Sequence, residues 1–92
     1  MLHIAIVEDN PADAGKLEEY IDQFCTDNRI NYQTEVFESG DDFLRNYTKI
    51  WNMILLDIEM PGIDGMETAK KIRELDKETF LVFVTNMAQY AI

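Results

Sequence analysis

Short apolar runs alternate with amphipathic stretches along the whole chain. Three runs of aliphatic and β-branched residues, Leu2–Val7, Met53–Leu56 and Phe80–Val84, are typical of strands that are buried on both faces. Tyr32–Phe37 alternates loosely between apolar and polar residues, which indicates an edge strand with one face in water. The pattern therefore predicts four strands.

The first stretch between strands has the sequence of an amphipathic helix. Asn10 followed by Pro11 is typical of an N-cap with proline at the first helical position, and we expect the helix to end near Asp27. Its apolar residues recur at spacings of three and four, which predicts one buried stripe made of Ala14, Leu17, Ile21 and Phe24.

Two more helices follow, each with a capping signal. Ser39 is expected to cap a second helix whose buried residues are Phe43, Leu44 and Tyr47. Asp64 and Gly65 lead into a third helix with a predicted apolar side made of Met66, Ala69, Ile72 and Leu75.

The segment before the third helix carries a turn signal. Pro61 and Gly62 suit the two central positions of a type II turn, because proline presets one φ and glycine accepts the positive φ that follows. We expect Pro61, Gly62 and Gly65 to shape a tight loop there.

Strands that alternate with helices predict one α/β domain, a doubly wound parallel sheet with helices on both faces and right-handed crossovers. Ligands bind such sheets beyond the carboxyl ends of the strands. Glu8 and Asp9 follow the first strand, Asp57 closes the third, and Thr85 follows the fourth. These four side chains are therefore expected to meet at one edge.

Composition limits the classes of function. The 92 residues carry 18 acidic and 8 basic side chains, a net charge of −10, and 47% of them are hydrophobic. The chain is apolar enough to fold as one small domain, and its charge opposes direct binding to nucleic acid or anionic lipid. Cys25 is the single cysteine, and the first apolar run is too short for a signal peptide or a membrane span, so we expect a cytoplasmic protein.

The predicted carboxylate cluster favours a hard divalent cation. Three carboxylates in contact would repel one another, and without a cation at least one would have its pKa raised. Mg²⁺ prefers oxygen ligands. Asp57 is the candidate nucleophile for an acyl phosphate, and Thr85 could place a hydroxyl against the same phosphoryl group. Taken singly, each of these residues is more often a cap or a solvated loop residue, and only their shared edge favours a site.

These residues resemble a known family. The pair Glu8-Asp9, the stretch Leu56-Asp57-Ile58-Glu59-Met60-Pro61-Gly62-Ile63-Asp64-Gly65, and Thr85 are similar to the receiver domain of bacterial two-component response regulators. The resemblance runs from Met1 to Ile92 and is most specific between Leu55 and Arg73. It implies a flavodoxin-like receiver fold with strand order 2-1-3-4.

The resemblance also implies roles for individual residues. Asp57 would accept a phosphoryl group from a histidine of a sensor kinase. Mg²⁺ would be held by the carboxylates of Asp9 and Asp57 and by the main-chain carbonyl of Glu59, with Glu8 acting through a bound water. Thr85 would contact the phosphoryl group and act as the switch residue.

Two departures from the family pattern lie near the end of the chain. A complete receiver has a fifth strand and helix, whereas this sequence ends at Ile92 within the expected fourth helix, so we expect an incomplete receiver. Asn86 stands where many receivers have Ala or Gly. The Thr85-Asn86 pair followed by Tyr90-Ala91 resembles receivers of the LytTR (LytR/AlgR-type) regulators, whose effector domain binds DNA.

Other functions stay open on the sequence alone. One is an inactive folded fragment of a receiver. An aspartate-nucleophile, metal-dependent phosphohydrolase is less favoured, because such enzymes have an Asp-x-Asp pattern and Glu59 stands two residues after Asp57. A flavin binder would need a phosphate-binding loop where Glu8, Asp9 and Asn10 lie. We also expect self-association, as a homodimer or through an exposed edge at the fourth strand.

Overall fold

A computed structural model of the chain describes residues 1–84. Its elements, in chain order, are β1 (Leu2–Val7), α1 (Pro11–Asp27), β2 (Tyr32–Phe37), α2 (Gly40–Arg45), β3 (Met53–Asp57), α3 (Gly65–Leu75) and β4 (Phe80–Val84). The four strands form one parallel sheet in the order β2-β1-β3-β4. The predicted fold class and strand order are confirmed, whereas the expected fourth helix, Thr85 and Asn86 lie outside the described residues.

Two hydrophobic clusters cover the two faces of the sheet. Alternate residues of β1 and β3 point to opposite faces, as the pleat of a strand requires. Ala5, Val7, Ile54 and Leu56 pack with Phe43 of α2 and with residues of α3. Ile4 and Leu55 pack on the other face with Cys25 of α1. This arrangement confirms the prediction of helices on both faces.

The stripe predicted for α1 is wrong at its last position. Phe24 is 61% exposed, whereas Cys25 is 1% exposed and belongs to the core. At 3.6 residues per turn, Cys25 lies about 20° around the helix axis from the buried Ala14, whereas Phe24 lies about 80° away from it. Phe24 therefore falls at the margin of the buried arc.

The side predicted for α3 is partly wrong as well. Met66 is 46% exposed and Leu75 is 49% exposed. The buried residues of this helix are instead Gly65, Thr68, Ala69 and Ile72. Small and polar residues take part in this face because α3 lies close to other backbone at its N-terminal end, as shown below.

β4 is less buried than its composition predicts. Phe80 is 63% exposed and Phe83 is 40% exposed. The reason is its position, because β4 is an edge of the described sheet and pairs there with β3. No helix in the described part of the chain is long and apolar enough to cross a membrane.

Candidate functional site

Three carboxylates meet at the carboxyl edge of the sheet. β1 and β3 are neighbours, with Val7 paired with Leu56, so the residues that end or follow these strands lie side by side. One carboxylate oxygen from each of Glu8, Asp9 and Asp57 lies within 4.8 Å of the others. The predicted cluster of these three residues is confirmed.

Glu8 is the most buried member of this cluster, with 5% of its surface exposed. One of its oxygens, Oε1, accepts a hydrogen bond from the Asn10 N–H at 3.1 Å. Burial, a hydrogen bond with Asp57 and the negative charges of Asp57 and Asp9 raise the pKa of Glu8 to about 8, and the Asn10 N–H only partly opposes this. Glu8 is therefore the carboxylate expected to hold a proton when no cation is bound.

Asp57 lies at the end of β3 and is half-buried. Its Oδ1 atom accepts a hydrogen bond from the Glu59 N–H at 3.3 Å. This bond places the Glu59 backbone beside the Asp57 carboxylate, which also shares a hydrogen bond with Glu8. Asp9 is exposed, so the cluster has one buried, one half-buried and one exposed acid.

The loop after β3 contains the positive φ that its sequence predicts at Gly62. Gly62 has a φ of +77°, which a type II turn requires of its second central residue. Asp64 caps α3, because its Oδ1 accepts the Glu67 N–H at 2.9 Å. A Cβ on Gly65 would overlap the carbonyl oxygen of Asp57, so only glycine allows this helix to begin so close to β3.

A second glycine near the loop was not expected from the sequence. Gly40 begins α2 and is buried against Thr68 of α3 and Ile63 of the loop. In the sequence, Ser39-Gly40 looks like an ordinary helix start. The one hint of close packing is that the first helical residue has no side chain. Which residues it contacts depends on the tertiary structure and cannot be predicted from the local sequence.

The cluster suits a hard divalent cation. All three side-chain donors are carboxylate oxygens, which Mg²⁺ prefers over the sulfur and imidazole ligands typical of zinc. The raised pKa of Glu8 also fits a cation site. Part of the rise comes from the negative charges of Asp57 and Asp9, which a divalent cation would neutralise. Thr85, the fourth residue predicted for the site, lies outside the described residues.

A cavity lies at the amino ends of β3 and β4, opposite the carboxylate cluster. It has a volume of about 550 Å³ and is lined by residues that include Lys49, Trp51, Leu75 and Thr79. Beside it, the Tyr47 hydroxyl donates to Asp76 Oδ2 at 2.8 Å. The carboxylate cluster lies at the other end of the strands, so this cavity is separate from the candidate site.

Sequence comparisons identify one family across nearly the whole chain. The model of the response regulator receiver domain matches residues 4–92. Sensory transduction protein LytT of Oceanobacillus iheyensis is 45% identical over 58 residues, which cover 60% of this chain and 24% of that protein. Transcriptional regulatory protein ResD of Bacillus subtilis is 32% identical over 89 residues, which cover 96% of this chain and 34% of that protein. The chain thus matches about a quarter to a third of the length of these relatives.

Structure comparisons agree. Response regulator protein TrrA of Thermotoga maritima, solved in complex with Mg²⁺ and BeF, has a TM-score of 0.81 and 30% identity, with coverage of 98% of this chain and 74% of that one. A crystal structure of histidine kinase ThkA in complex with TrrA matches with a TM-score of 0.78 and 29% identity, covering 100% of this chain and 75% of that one.

Proposed function

The chain belongs to the response regulator receiver domain family, and from that premise we propose that Asp57 accepts a phosphoryl group from a histidine of a sensor kinase. The observation that carries this proposal is the carboxylate cluster, in which Glu8, Asp9 and Asp57 approach within 4.8 Å at the carboxyl edge of the sheet. Asp57 is the member at the end of the central strand β3, and it is half-buried, so a phosphodonor can reach it from solvent.

The proposed cation is Mg²⁺. The carboxylates of Asp9 and Asp57 and the main-chain carbonyl of Glu59 would bind it, and Glu8 would contact it through water. When bound, Mg²⁺ neutralises negative charge on the phosphoryl oxygens that approach the acidic site. Glu8 and Asp9 keep their carboxylates beside Asp57 because their strand is paired with β3.

The proposed reaction is a displacement at phosphorus. One carboxylate oxygen of Asp57 forms the new O–P bond, the N–P bond of the phosphohistidine breaks, and its electron pair stays on the imidazole nitrogen. The Glu59 N–H holds Oδ1 at 3.3 Å, so the carboxylate is oriented before the donor arrives. Thr85 is proposed to contact the phosphoryl group in the product.

The partners follow from the relatives. TrrA is seen in complex with a histidine kinase, and ResD is named a transcriptional regulatory protein. We propose a sensor histidine kinase as the donor and a DNA-binding effector of the LytTR type as the output, in agreement with the similarity to LytT. With a net charge of −10, these 92 residues are expected to reach DNA only through such an effector.

A small phosphodonor tests the acceptor directly. In the presence of Mg²⁺, the chain is expected to gain the mass of one phosphoryl group, stable in acid and labile in base. Asp57→Asn should abolish this adduct. Asp27→Asn, which changes an exposed acid at the far end of α1, should leave it unchanged.

Two results would contradict the proposal. One is the absence of any adduct in a preparation that is folded and binds Mg²⁺. That result would favour the alternative in which the chain is an inactive folded fragment of a receiver. The other is an adduct that persists in Asp57→Asn. Rapid, sustained turnover of an unactivated phosphate ester would instead favour the phosphohydrolase alternative, because an acceptor domain consumes donor only as fast as its own acyl phosphate hydrolyses.

A further inference from the structure

The loop that follows Asp57 lies between two helix starts. Residues 58–64 connect β3 to α3, and the first turn of α2 approaches the same loop. A Cβ on Gly62 would lie 3.6 Å from the Oδ2 atom of Asp41 in α2. The shape of this loop therefore depends on α2 as well as on the strand and helix that it joins.

Gly40 of α2 and Thr68 of α3 lie in close contact. Thr68 is fully buried, and its hydroxyl donates to the main-chain oxygen of Asp64 at 2.8 Å. A Cβ on Gly40 would overlap this hydroxyl and would lie 3.0 Å from two side-chain carbons of Ile63. Gly40 thus touches the loop directly through Ile63 and indirectly through Thr68.

The other end of the loop is fixed next to the acceptor. The Gly65 N–H donates to the Ile58 oxygen at 3.0 Å, and Gly65 lies against the carbonyl of Asp57. We infer that Gly40 and Thr68 are positioning residues for phosphoryl transfer, because their contact sets the loop that holds Glu59 against Asp57. This inference rests on the function proposed above.

A methyl group at position 40 has two ways to fit. The Thr68 side chain rotates away, which breaks its hydrogen bond to Asp64, or α2 moves away from α3. Both responses displace the loop and with it the Glu59 N–H that orients the acceptor. A small misplacement at a reacting group is enough to slow the reaction by orders of magnitude.

Gly40→Ala tests the inference, and the chain offers a matched control. Gly15 lies within α1 and has nothing within 4 Å of an added Cβ. Gly40→Ala is expected to slow phosphorylation by about tenfold or more at saturating phosphodonor, with Mg²⁺ present. Gly15→Ala makes the same chemical change in a helix and should keep the wild-type rate. Cys25→Ala, which weakens the core at the far end of α1, shows what lost stability alone does to the rate.

A second readout needs neither metal nor phosphodonor. In Gly40→Ala, the amide hydrogens of Glu59 and Gly65 are expected to exchange with solvent about tenfold faster than in wild type, since the displaced loop carries the Glu59 donor and the Ile58 oxygen that accepts from Gly65. The Asn10 N–H, which donates to Glu8, should exchange at its wild-type rate. A purely structural role would instead raise exchange throughout the domain, as in Cys25→Ala.

Two substitutions of Thr68 decide the case if Gly40→Ala does not fold. Thr68→Ser keeps the hydroxyl that binds Asp64, whereas Thr68→Val keeps the shape and removes the donor. The inference expects near wild-type phosphorylation for Thr68→Ser and a clear loss for Thr68→Val. Equal rates in both variants, or a wild-type rate in folded Gly40→Ala, would overturn it. If wild type itself forms no adduct, the proposed function fails, whereas faster exchange at Glu59 and Gly65 would still establish the contact.

Discussion

At the scale of single residues, Glu8 links the candidate site to the stability of the chain. Its pKa is raised from 4.5 to about 8 in the folded chain, mainly by burial. The folded chain therefore binds a proton that the unfolded chain releases between these pH values. The stability that Glu8 contributes is fully present below pH 4.5 and is lost as the pH rises through 8.

This linkage predicts how Mg²⁺ and pH act together. Without Mg²⁺, the free energy of unfolding should fall between pH 6 and pH 8.5, because Glu8 must ionise beside Asp57 and Asp9. Mg²⁺ favours the ionised cluster, so the rise in melting temperature that it causes should be larger at pH 8.5 than at pH 6.

Glu8→Gln is the matched variant for this measurement. It should remove the fall in stability and leave a weaker effect of Mg²⁺ that depends little on pH. Thermal unfolding at several pH values, with and without Mg²⁺, gives both quantities. A wild-type profile that is the same as that of Glu8→Gln would contradict the assignment of the proton to Glu8.

The residues of this site differ in how far the sequence predicts them. Glu8, Asp9 and Asp57 follow from topology alone, since acids after neighbouring parallel strands must meet at one edge. Gly40 does not, because its role depends on how closely α2 and α3 approach. The prediction that Phe24 is buried is wrong for a related reason. Residue spacing shows which side chains share a helix face, but it does not show where the sheet packs against that face.

At the scale of elements, the bounds of helices and strands were predictable where the chain carries local signals. Asn10 accepts the N–H groups of Ala12 and Asp13, and Ser39 accepts that of Asp42, as expected of N-caps. The faces of the helices were less predictable. In α3, the fully buried Thr68 takes a place that hydrophobicity alone gives to Met66.

A hydrogen bond joins the segment that follows α2 to the segment that follows α3. Asp76 follows α3, and its Oδ1 accepts the N–H groups of Glu78 and Thr79 while its Oδ2 accepts the Tyr47 hydroxyl. These bonds, led by the one from Glu78, lower the pKa of Asp76. Burial and the neighbouring Asp76 raise the pKa of Tyr47 well above its ordinary value, so the tyrosine stays a donor at all physiological pH values.

Tyr47→Phe is expected to remove this hydrogen bond. The loss of one hydrogen bond to a carboxylate should lower the free energy of unfolding by about 1.5–3 kcal/mol at pH 7. Because the pKa of Asp76 is lowered in the folded chain, the stabilisation is present above its ordinary pKa of 3.8 and is lost as the pH falls through the folded value. The difference between variant and wild type should therefore shrink in acid.

Urea denaturation at pH 7 and at pH 3 measures this difference. Tyr32→Phe is the control, because Tyr32 donates to Asp22 at 2.6 Å on the exposed surface, where a hydrogen bond stabilises little. If both variants lowered the free energy of unfolding equally at pH 7, the hydrogen bond from Tyr47 to Asp76 would stabilise the chain no more than the exposed one from Tyr32 to Asp22.

At the scale of the whole molecule, the sheet has two edges of different character. β2 alternates polar and apolar residues, and it ends one side of the sheet as its sequence predicts. β4 is apolar throughout and ends the other side of the described sheet. Its composition predicts burial, but the described strands cover only one of its sides, and no local signal in the sequence shows this.

The β4 edge and the charge of the chain act in opposite directions on self-association. Phe80 and Phe83 point to opposite faces of β4 and are 63% and 40% exposed, and within residues 1–84 no strand pairs with the outer side of β4, so this edge offers both backbone groups and apolar surface. The net charge of −10 repels a second copy. Salt screens this repulsion over about 10 Å at 0.1 M, so the fraction of dimer should rise with added salt.

Sedimentation of the 92-residue chain at several salt concentrations tests this balance, and two lysine variants locate the contact. Phe83→Lys places a charge on the β4 edge and should reduce dimer at every salt concentration. Phe24→Lys makes the same change at an exposed aromatic on α1, away from this edge, and should leave the salt dependence as in wild type. If Phe24→Lys reduced the dimer as much as Phe83→Lys does, general surface charge would be the cause, and the β4 edge would have no specific part in the association.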